Sequence, residues 1–570
     1  MPKNFTCWPE DWPRSLDYPS LPVHEFLDQT ARRAPSRMAI VYDGLEFTYQ
    51  ELKTLSDRFA LSLLAEGIGH GDRVALHLPN CPQFAVAYYG LLKTGATFTP
   101  LSPLLSSREA AFQLADTEAA ALVTLDEHYG AIQPVLGETR VRRVITTSLA
   151  DCLGPLTSLL QDHPRAVTDG LDMVELIRGQ EGVPPRPDID PATDLAHISY
   201  TGGTTGLPKG VMLTHDNVVA NTIQVAHWLS GAAVRLVDGR LTPTWPEGVD
   251  PVKDRLTAFD QEVALVVSPW YHALGSIRYL NNQVYTGATM VVFRRFDPQT
   301  YLEAVIKYGV TILGGAPQLY IPLVHHPDFA RYDLSGVKFA ASGAAPLPLQ
   351  VLDEMLKAFS GVVCEAYGMT ECTMGATANP PDRSRIRVGS VGLPTFDTEL
   401  KTIDLVTEED LPPGEEGEIC IKGPQVMMGY LNRPEETAKV LKDDWLLTGD
   451  IGREDADGYF YITGRKKDMI IYKGYNVYPR EIEEIIFEHP AVQQCAVVGR
   501  PDPDAGEVPV AFVQVKEGTS VTAEEIMDFT NPKIARYKKV REVIFMDQIP
   551  VSGPGKVLKT VLRQKLTGAA

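Results

Sequence analysis

The sequence predicts an α/β protein of more than one domain, with substantial parallel sheet. Three observations carry this. First, helical and strand patterns alternate from about residue 22 onward. Leu52, Leu55, Phe59 and Leu63 recur at helical spacing after the capping residue Thr48, and Gly67, Gly69 and Gly71 end that helix. Val74, Leu76 and Leu78 then alternate as a strand does. Second, alternation of this kind builds parallel sheets covered by helices. Third, the 570 residues exceed the roughly 250–300 at which a single core stops growing. No tandem repeat or low-complexity tract interrupts the pattern.

Composition narrows the function classes. A formal net charge of −20 with 44% hydrophobic residues is ordinary for a soluble globular chain. The acidic balance argues against a nucleic-acid binder, whose footprint is basic. An anionic substrate must therefore be met by local cations. The seven cysteines, Cys7, Cys81, Cys152, Cys364, Cys372, Cys420 and Cys495, form no Cys-x-x-Cys pair. They are expected as reduced, mostly buried thiols of a cytoplasmic protein without a zinc site. The first twenty residues lack a signal pattern. No apolar run approaches the roughly 20 residues of a membrane helix.

Two places break the rhythm. Residues 229–262 read as a surface insertion that opens with a hairpin at Asp238-Gly239. Pro243, Pro246, Gly248 and Pro251 keep its remainder irregular. A disordered solvent loop is the expectation there, with an oligomer contact as the sharper alternative. The second break, Gly464-Arg465-Lys466-Lys467-Asp468, follows a short strand at 459–462 and marks a domain boundary.

The most informative segment follows a strand at 197–200: Thr201-Gly202-Gly203-Thr204-Thr205-Gly206-Leu207-Pro208-Lys209-Gly210. Glycines let backbone N–H groups turn toward an anion, hydroxyls add donors and a lysine adds charge. The segment fails the Walker A pattern, because Lys209 follows Pro208 and Gly210 stands where Ser or Thr belongs. Gly555-Lys556 is followed by Val557 and fails it too.

The loop resembles the phosphate loop of the adenylate-forming superfamily of acyl-CoA synthetases, luciferases and adenylation domains, and further motifs follow in family order. Ser268-Pro269-Trp270-Tyr271-His272-Ala273-Leu274-Gly275 resembles the segment bordering the acyl pocket. Ala341-Ser342-Gly343-Ala344-Ala345-Pro346 resembles the adenine-binding turn. Tyr367-Gly368-Met369-Thr370-Glu371 and Thr448-Gly449-Asp450 match two nucleotide motifs. Residues 464–468 resemble the hinge, residues 473–483 the start of the small domain, and Gly555-Lys556 the catalytic lysine motif. The resemblance implies a large N-terminal domain of layered sheets and helices (1–463), a hinge (464–468) and a small mobile C-terminal α/β domain (469–570).

The same resemblance implies roles. Lys556 screens the approach of a carboxylate to the α-phosphate of ATP, as an ammonium between two anions can. Thr370 donates to that phosphate, and Glu371 ligates Mg²⁺. Thr201, Gly202, Gly203, Thr204, Thr205, Gly206 and Lys209 hold the β- and γ-phosphates. Gly343, Ala344, Ala345, Pro346, Tyr367 and Gly368 receive adenine. Asp450 accepts from the ribose hydroxyls, with Arg465 beside it. His272 borders the acyl carboxylate. Lys473 and Gly474 face the arm of CoA once the small domain rotates. Lys466, Lys467, Lys473, Arg480, Lys533, Arg536, Lys538, Lys539 and Arg541 could steer the phosphates of CoA, although a charge run is usually a solvated face.

Residues 270–275, 311–317, 340–344 and 368–376 are the expected pocket segments, rich in Gly, Ala, Met and aromatics and without arginine. They point to a hydrophobic monocarboxylic acid, a medium- or long-chain fatty acid. An aromatic or alicyclic acid is the alternative. An acyl-AMP ligase loading a carrier protein and a non-catalytic nucleotide-binding scaffold are the competing functions. The expected partners are the acid, ATP and CoA, with no nucleic acid and no integral membrane segment; a homodimer stays open.

Overall fold

A computed structural model describes residues 7–151, 167, 169–201, 208–343, 347, 349–551 and 557–566. Among them the chain is mixed α/β, built on five sheets. An eight-stranded sheet has at its centre the parallel neighbours Leu195–Tyr200, Thr97–Pro100, Arg73–His77, Ala121–Leu125 and Arg143–Thr147. A nine-stranded sheet is parallel through Val362–Tyr367, Phe339–Ser342, Ile312–Gly315, Val263–Val266, Thr289–Val292 and Met38–Tyr42. Strands covered on both faces read as continuous apolar runs, and every residue of Ala121–Leu125 is buried.

The helices form where the patterning places them. Tyr49–Ala65 starts at a capping box in which Thr48 Oγ1 takes the Glu51 N–H and the Glu51 carboxylate takes the Thr48 N–H. Its stripe of Leu52, Leu55, Phe59 and Leu63 is fully buried. Val74 and Phe98 of the first sheet share one apolar core with Val266, Ile312 and Val362 of the second.

Gly429–Tyr430 pairs with Gly210–Thr214 in the eight-stranded sheet, and the other strands after residue 398 belong to two smaller sheets. Glu399–Ile403, Gly417–Lys422, Leu441–Lys442, Trp445–Glu454 and Phe460–Arg465 pair antiparallel. Ile470–Tyr472, Tyr475–Val477, Val492–Asp502, Gly506–Val515 and Glu542–Phe545 form the other sheet. It covers its own core of Ile470, Val477, Ile482, Val497, Val513 and Ile526.

The segment expected as a disordered loop is ordered. Leu229 and Ser230 are the last turn of the helix His215–Ser230. Ala233–Val237 and Arg240–Thr244 form the hairpin, and Asp238 and Gly239 both have positive φ (50° and 73°), as a type I′ turn requires. Its base is anchored where Leu241 N donates to Gln29 Oε1 (2.7 Å) and Trp245 Nε1 to Ser230 O (2.9 Å). The Arg255–Asp11 ion pair (2.5 Å) and buried Glu262 hold the rest. Proline-rich composition hid this, because each anchor is a tertiary contact.

Cys81, Cys364, Cys372, Cys420 and Cys495 are buried free thiols and Cys7 is half-buried; Cys152 lies outside the described residues. No helix among the described residues is long and apolar enough to cross a membrane.

Candidate active site

The topology creates a crevice. From Val263–Val266 the chain crosses to Thr289–Val292 on one side and returns to Ile312–Gly315 on the other. Ligands of open α/β sheets bind outside the carboxyl ends of strands at such a switch point. The segments leaving those ends are 268–275, 316–318, 343 and 368–371. Four stretches far apart in sequence thereby meet at one rim. Gly343 N donates to Gly315 O at 3.1 Å. Gly368 packs so tightly that a Cβ there would lie 1.9 Å from Met374 O.

Asp450 closes the rim from the antiparallel sheet. It is 2% exposed and takes three side-chain contacts. Arg465 Nε lies 2.5 Å from Oδ1, Arg465 Nη2 donates to Oδ2 at 3.3 Å, and Tyr367 Oη donates to Oδ2 at 2.8 Å. Burial, and then the Asp450 charge, push the Tyr367 hydroxyl far above its usual range. Thr448 Oγ1 accepts from Asp450 N (3.0 Å) and donates to Ile419 O (2.7 Å). Buried Glu418 takes Gly449 N at 2.9 Å and Lys466 Nζ at 3.0 Å. Lys467 is lowered from its usual range by desolvation and then by the Arg465 charge.

Thr370 opens a short 3-10 turn, Thr370–Cys372, that carries Glu371. Glu371 is buried, and its Oε1 accepts from Tyr430 Oη at 2.8 Å. Thr201 N donates to Lys209 O at 3.0 Å, and Tyr200 faces Gly210 in register, so both ends of the phosphate-loop segment are pinned. Residues 202–207 of the expected loop lie outside the described residues, as do Ala344, Ala345, Pro346 and Lys556. Lys209 Nζ pairs with Glu436 at 2.7 Å and sits 4.7 Å from the Tyr430 ring centroid. That pairing, with Lys439, holds the Glu436 carboxyl down at about 2. One tyrosine thus touches both the expected metal carboxylate and the expected phosphate cation. Buried Glu371, met by a single hydroxyl donor among the described residues, suits a hard cation shared with a triphosphate.

On the acid side, Trp270 is turned into the core, with Nε1 donating to Tyr279 O at 3.1 Å. Tyr271 and His272 remain half-buried at the rim, their rings 4.9 Å apart. Burial lowers His272 to about 4, so its imidazole is neutral at physiological pH. Only glycine fits at Gly275, where a Cβ would lie 1.8 Å from Pro269 O. The next turn, Leu274–Asn281, is π-helical, a form concentrated at functional sites. Asn281 Nδ2 donates to Ser276 O and Gln283 Nε2 to Arg278 O, both at 3.0 Å, meeting carbonyls that the wider turn loosens. Asn281 also donates to Tyr88 Oη (2.6 Å), which lies 2.7 Å from His197 Nε2. The strand feeding the phosphate loop is thereby tied to the helix that follows His272.

Comparison with known proteins bears directly on this geometry. Residues 27–431 match the AMP-binding enzyme family and residues 481–556 the AMP-binding enzyme C-terminal domain. The chain belongs to the AMP-binding enzyme family. It is 36% identical to a long-chain-fatty-acid–CoA ligase of Bacillus subtilis, over 98% of this chain and 97% of that protein. It is 34% identical to a feruloyl-CoA synthase of Amycolatopsis, over 94% and 97%. The crystal structure of ATP-bound MatB from Rhodopseudomonas palustris superposes with a TM-score of 0.79 at 29% identity, covering 95% of this chain and 98% of that one.

In this AMP-binding enzyme two expected site residues lie in the last of the sheets. Lys473 and Gly474, with φ of 50° and 84°, form the tip of the hairpin between Ile470–Tyr472 and Tyr475–Val477. A Cβ on Gly474 would meet nothing within 4 Å. Beside the tip, Tyr475 stacks on Tyr537 at 4.9 Å, and the Arg541 guanidinium lies 5.4 Å from the Tyr472 ring centroid. Lys466, Arg480, Lys533 and Lys538 are paired with Glu418, Glu484, Glu488 and Glu481. Val557 bridges Val551 and lines a cavity of about 550 Å³ with Gln318, Leu347 and Arg480. Sequence reasoning missed Tyr430, Tyr88, His197 and Asn281. The amide run Asn281-Asn282-Gln283 inside an apolar stretch was the available signal.

Proposed function

We propose that this chain is an AMP-forming acyl-CoA synthetase that activates a hydrophobic monocarboxylic acid, a medium- or long-chain fatty acid, and transfers it to CoA. The observation that carries the reading is full-length similarity to a long-chain-fatty-acid–CoA ligase in a chain whose switch-point crevice gathers the nucleotide motifs. The acid's carboxylate attacks the α-phosphorus of ATP and pyrophosphate leaves. The thiol of CoA then attacks the acyl carbonyl and AMP leaves.

The residues divide this work. Asp450 accepts from the ribose hydroxyls, and Arg465 fixes that carboxylate. Tyr367, Gly343, Gly368 and the 344–346 turn receive adenine. Thr370, Lys209 and the 201–206 loop take the phosphates. Glu371 holds Mg²⁺, which supplies charge neutralisation to the triphosphate when bound. Neutral His272 borders the acid without adding charge beside its carboxylate. Lys556 provides the ammonium for adenylation, and Gly474 leaves space for the arm of CoA. Residues 464–468 are the hinge between domains 1–463 and 469–570. Support comes from the sheets, which change owner between Arg465 and Ile470. The exposed aromatic–cation face around Tyr472, Tyr475 and Tyr537 suits the adenine and phosphates of CoA.

One observation favours a second reading for the acid, an aromatic one: the 34% identity to a feruloyl-CoA synthase. The deciding experiment measures pyrophosphate release and thioester formation over straight-chain, branched and aromatic acids, with and without CoA. Long-chain acids giving CoA-dependent AMP release is the expected result. AMP retained as acyl-adenylate despite CoA would favour a carrier-loading ligase instead.

A further inference from the structure

Past Val266 the strand Val263–Val266 loses its ladder, and the chain that leaves it carries Tyr271 and His272 to the rim. Buried backbone groups without a ladder need other partners. One side chain supplies three of them. Asn80 Nδ2 donates to Ser268 O at 3.0 Å and to Val267 O at 3.3 Å, and Asn80 Oδ1 accepts from Trp270 N at 2.8 Å. Two carbonyls and one N–H admit only this orientation of the amide. Asn80 is 2% exposed, and Trp270 is fully buried.

This amide spans two sheets. Asn80 follows Arg73–His77, which lies in the eight-stranded sheet with Leu195–Tyr200, the strand that feeds the phosphate loop. The groups it holds follow Val263–Val266, the switch-point strand of the nine-stranded sheet. From there the restraint passes along the chain. His272 N donates to Pro269 O at 3.1 Å, and His272 O accepts from Ser276 N at 2.9 Å. The backbone on both sides of Tyr271 is thereby fixed, and so is the point from which the His272 ring leaves the chain. Gln83 provides a contrast within the same turn. It too is 2% exposed, and its Nε2 donates to Ser148 O at 2.9 Å and to Asp151 O at 3.2 Å, away from residues 267–272.

We propose that Asn80 is a positioning residue for adenylation: it ties the acid rim to the phosphate-loop sheet and acts through His272. The inference rests on the acyl-CoA synthetase reading above. The acid's carboxylate and the α-phosphorus are held by different sheets, so their approach depends on a rigid link between the two. Asn80 is such a link, made at the segment that presents His272.

The test compares Asn80→Ala with Gln83→Ala in the full chain. Pyrophosphate release is measured with ATP, Mg²⁺ and whichever of hexadecanoic and ferulic acid the unsubstituted enzyme uses better. Misplacement by about 1 Å can cost about 10²-fold, so kcat/KM for the acid is expected to fall roughly 10- to 100-fold in Asn80→Ala, while the KM for ATP stays within about twofold. Gln83→Ala loses comparable buried hydrogen bonds, so a similar drop in melting temperature is expected with both constants within about threefold. Effects of residues that act through one another do not add, so Asn80→Ala placed on His272→Ala is expected to cost less than about threefold more. Should Asn80→Ala fail to fold, Asn80→Asp carries the same comparison, because it keeps the volume and the acceptor for Trp270 N but loses the donor to Ser268 O. A loss no larger than that of Gln83→Ala, an equal rise in the KM for ATP, or full multiplication with the His272→Ala loss overturns the proposal and leaves Asn80 a purely structural role. If the unsubstituted enzyme releases no pyrophosphate with either acid, the synthetase reading itself fails and takes this inference with it.

Discussion

Asp450 and Arg465 are register partners on neighbouring antiparallel strands, and their side chains close an ion pair of 2.5 Å beneath the Tyr367 hydroxyl. The nine-stranded sheet and the antiparallel sheet are therefore joined at the rim through one carboxylate. Asp450→Asn keeps the size of the side chain but turns one acceptor into a donor. A hydrogen bond to a charged group is worth about 1.5–3 kcal/mol, so the KM for ATP is expected to rise about tenfold or more. Tyr367→Phe leaves the ion pair in place and is expected to raise it only about two- to fivefold. Pyrophosphate exchange measures both. An unchanged KM in Asp450→Asn would remove Asp450 from the nucleotide site.

Lys556→Ala separates the two half-reactions. Removing a preorganised donor from a developing anion typically lowers the rate by about 10²–10³, and that loss is expected in adenylation. Thiolation of supplied acyl-adenylate is expected to stay within about threefold, because the proposed reading gives that step to the hairpin at Gly474. Stopped-flow measurement of each half-reaction checks this, and equal losses in both would count against the assignment.

Tyr430 donates to Glu371 and lies under Lys209. Tyr430→Phe keeps the ring beneath the ammonium and removes only the hydroxyl. The Glu371 carboxylate loses the hydroxyl that orients it, and ligands without such support lose roughly 10- to 100-fold in metal affinity. A rise of about tenfold in the Mg²⁺ concentration for half-maximal activity is expected, with little change in the KM for the acid. A titration of activity against Mg²⁺ showing no shift would make Tyr430 a packing residue.

Much of this site was legible because its parts are local. The Thr48 cap, the Asp238-Gly239 turn and the strand ends carrying Tyr367 and Thr201 are written in neighbouring residues. What escaped depends on distance or on broken periodicity. The π-helical turn adds a residue to the repeat, so helical spacing loses its phase after Gly275 and the contacts of Asn281 are hidden. Tyr430 is 59 residues from Glu371, and a half-apolar tyrosine reads as core until its hydroxyl finds a partner. The anchors of the 229–262 segment, Gln29 and Asp11, lie more than 200 residues away.

Five buried histidines make the fold acid-sensitive. Burial pushes His24, His77, His197 and His215 down to about 3 and His227 to about 4, and all five are at most 5% exposed. Neighbouring cations and histidines add to this: Lys93 beside His24, His128 beside His77, and His215 beside His197. Each is neutral in the folded chain while its unfolded counterpart takes up a proton below about 6.5. The unfolded state therefore binds more protons through the window between those depressed values and about 6.5, so stability rises with pH there and is lost as pH falls. Lowering the pH from 6.5 to 5 is expected to cost roughly 1–2 kcal/mol per histidine, a sum comparable with a typical total stability of about 5–15 kcal/mol. Thermal melting should thus be flat from pH 7 to 8 and drop steeply between 6 and 5. His227→Gln should shallow that slope, because it removes one proton-binding group; its ring bonds Ala232 O and Tyr285 Oη. A melting temperature independent of pH across 5 to 7 would show that these imidazoles do not control acid unfolding.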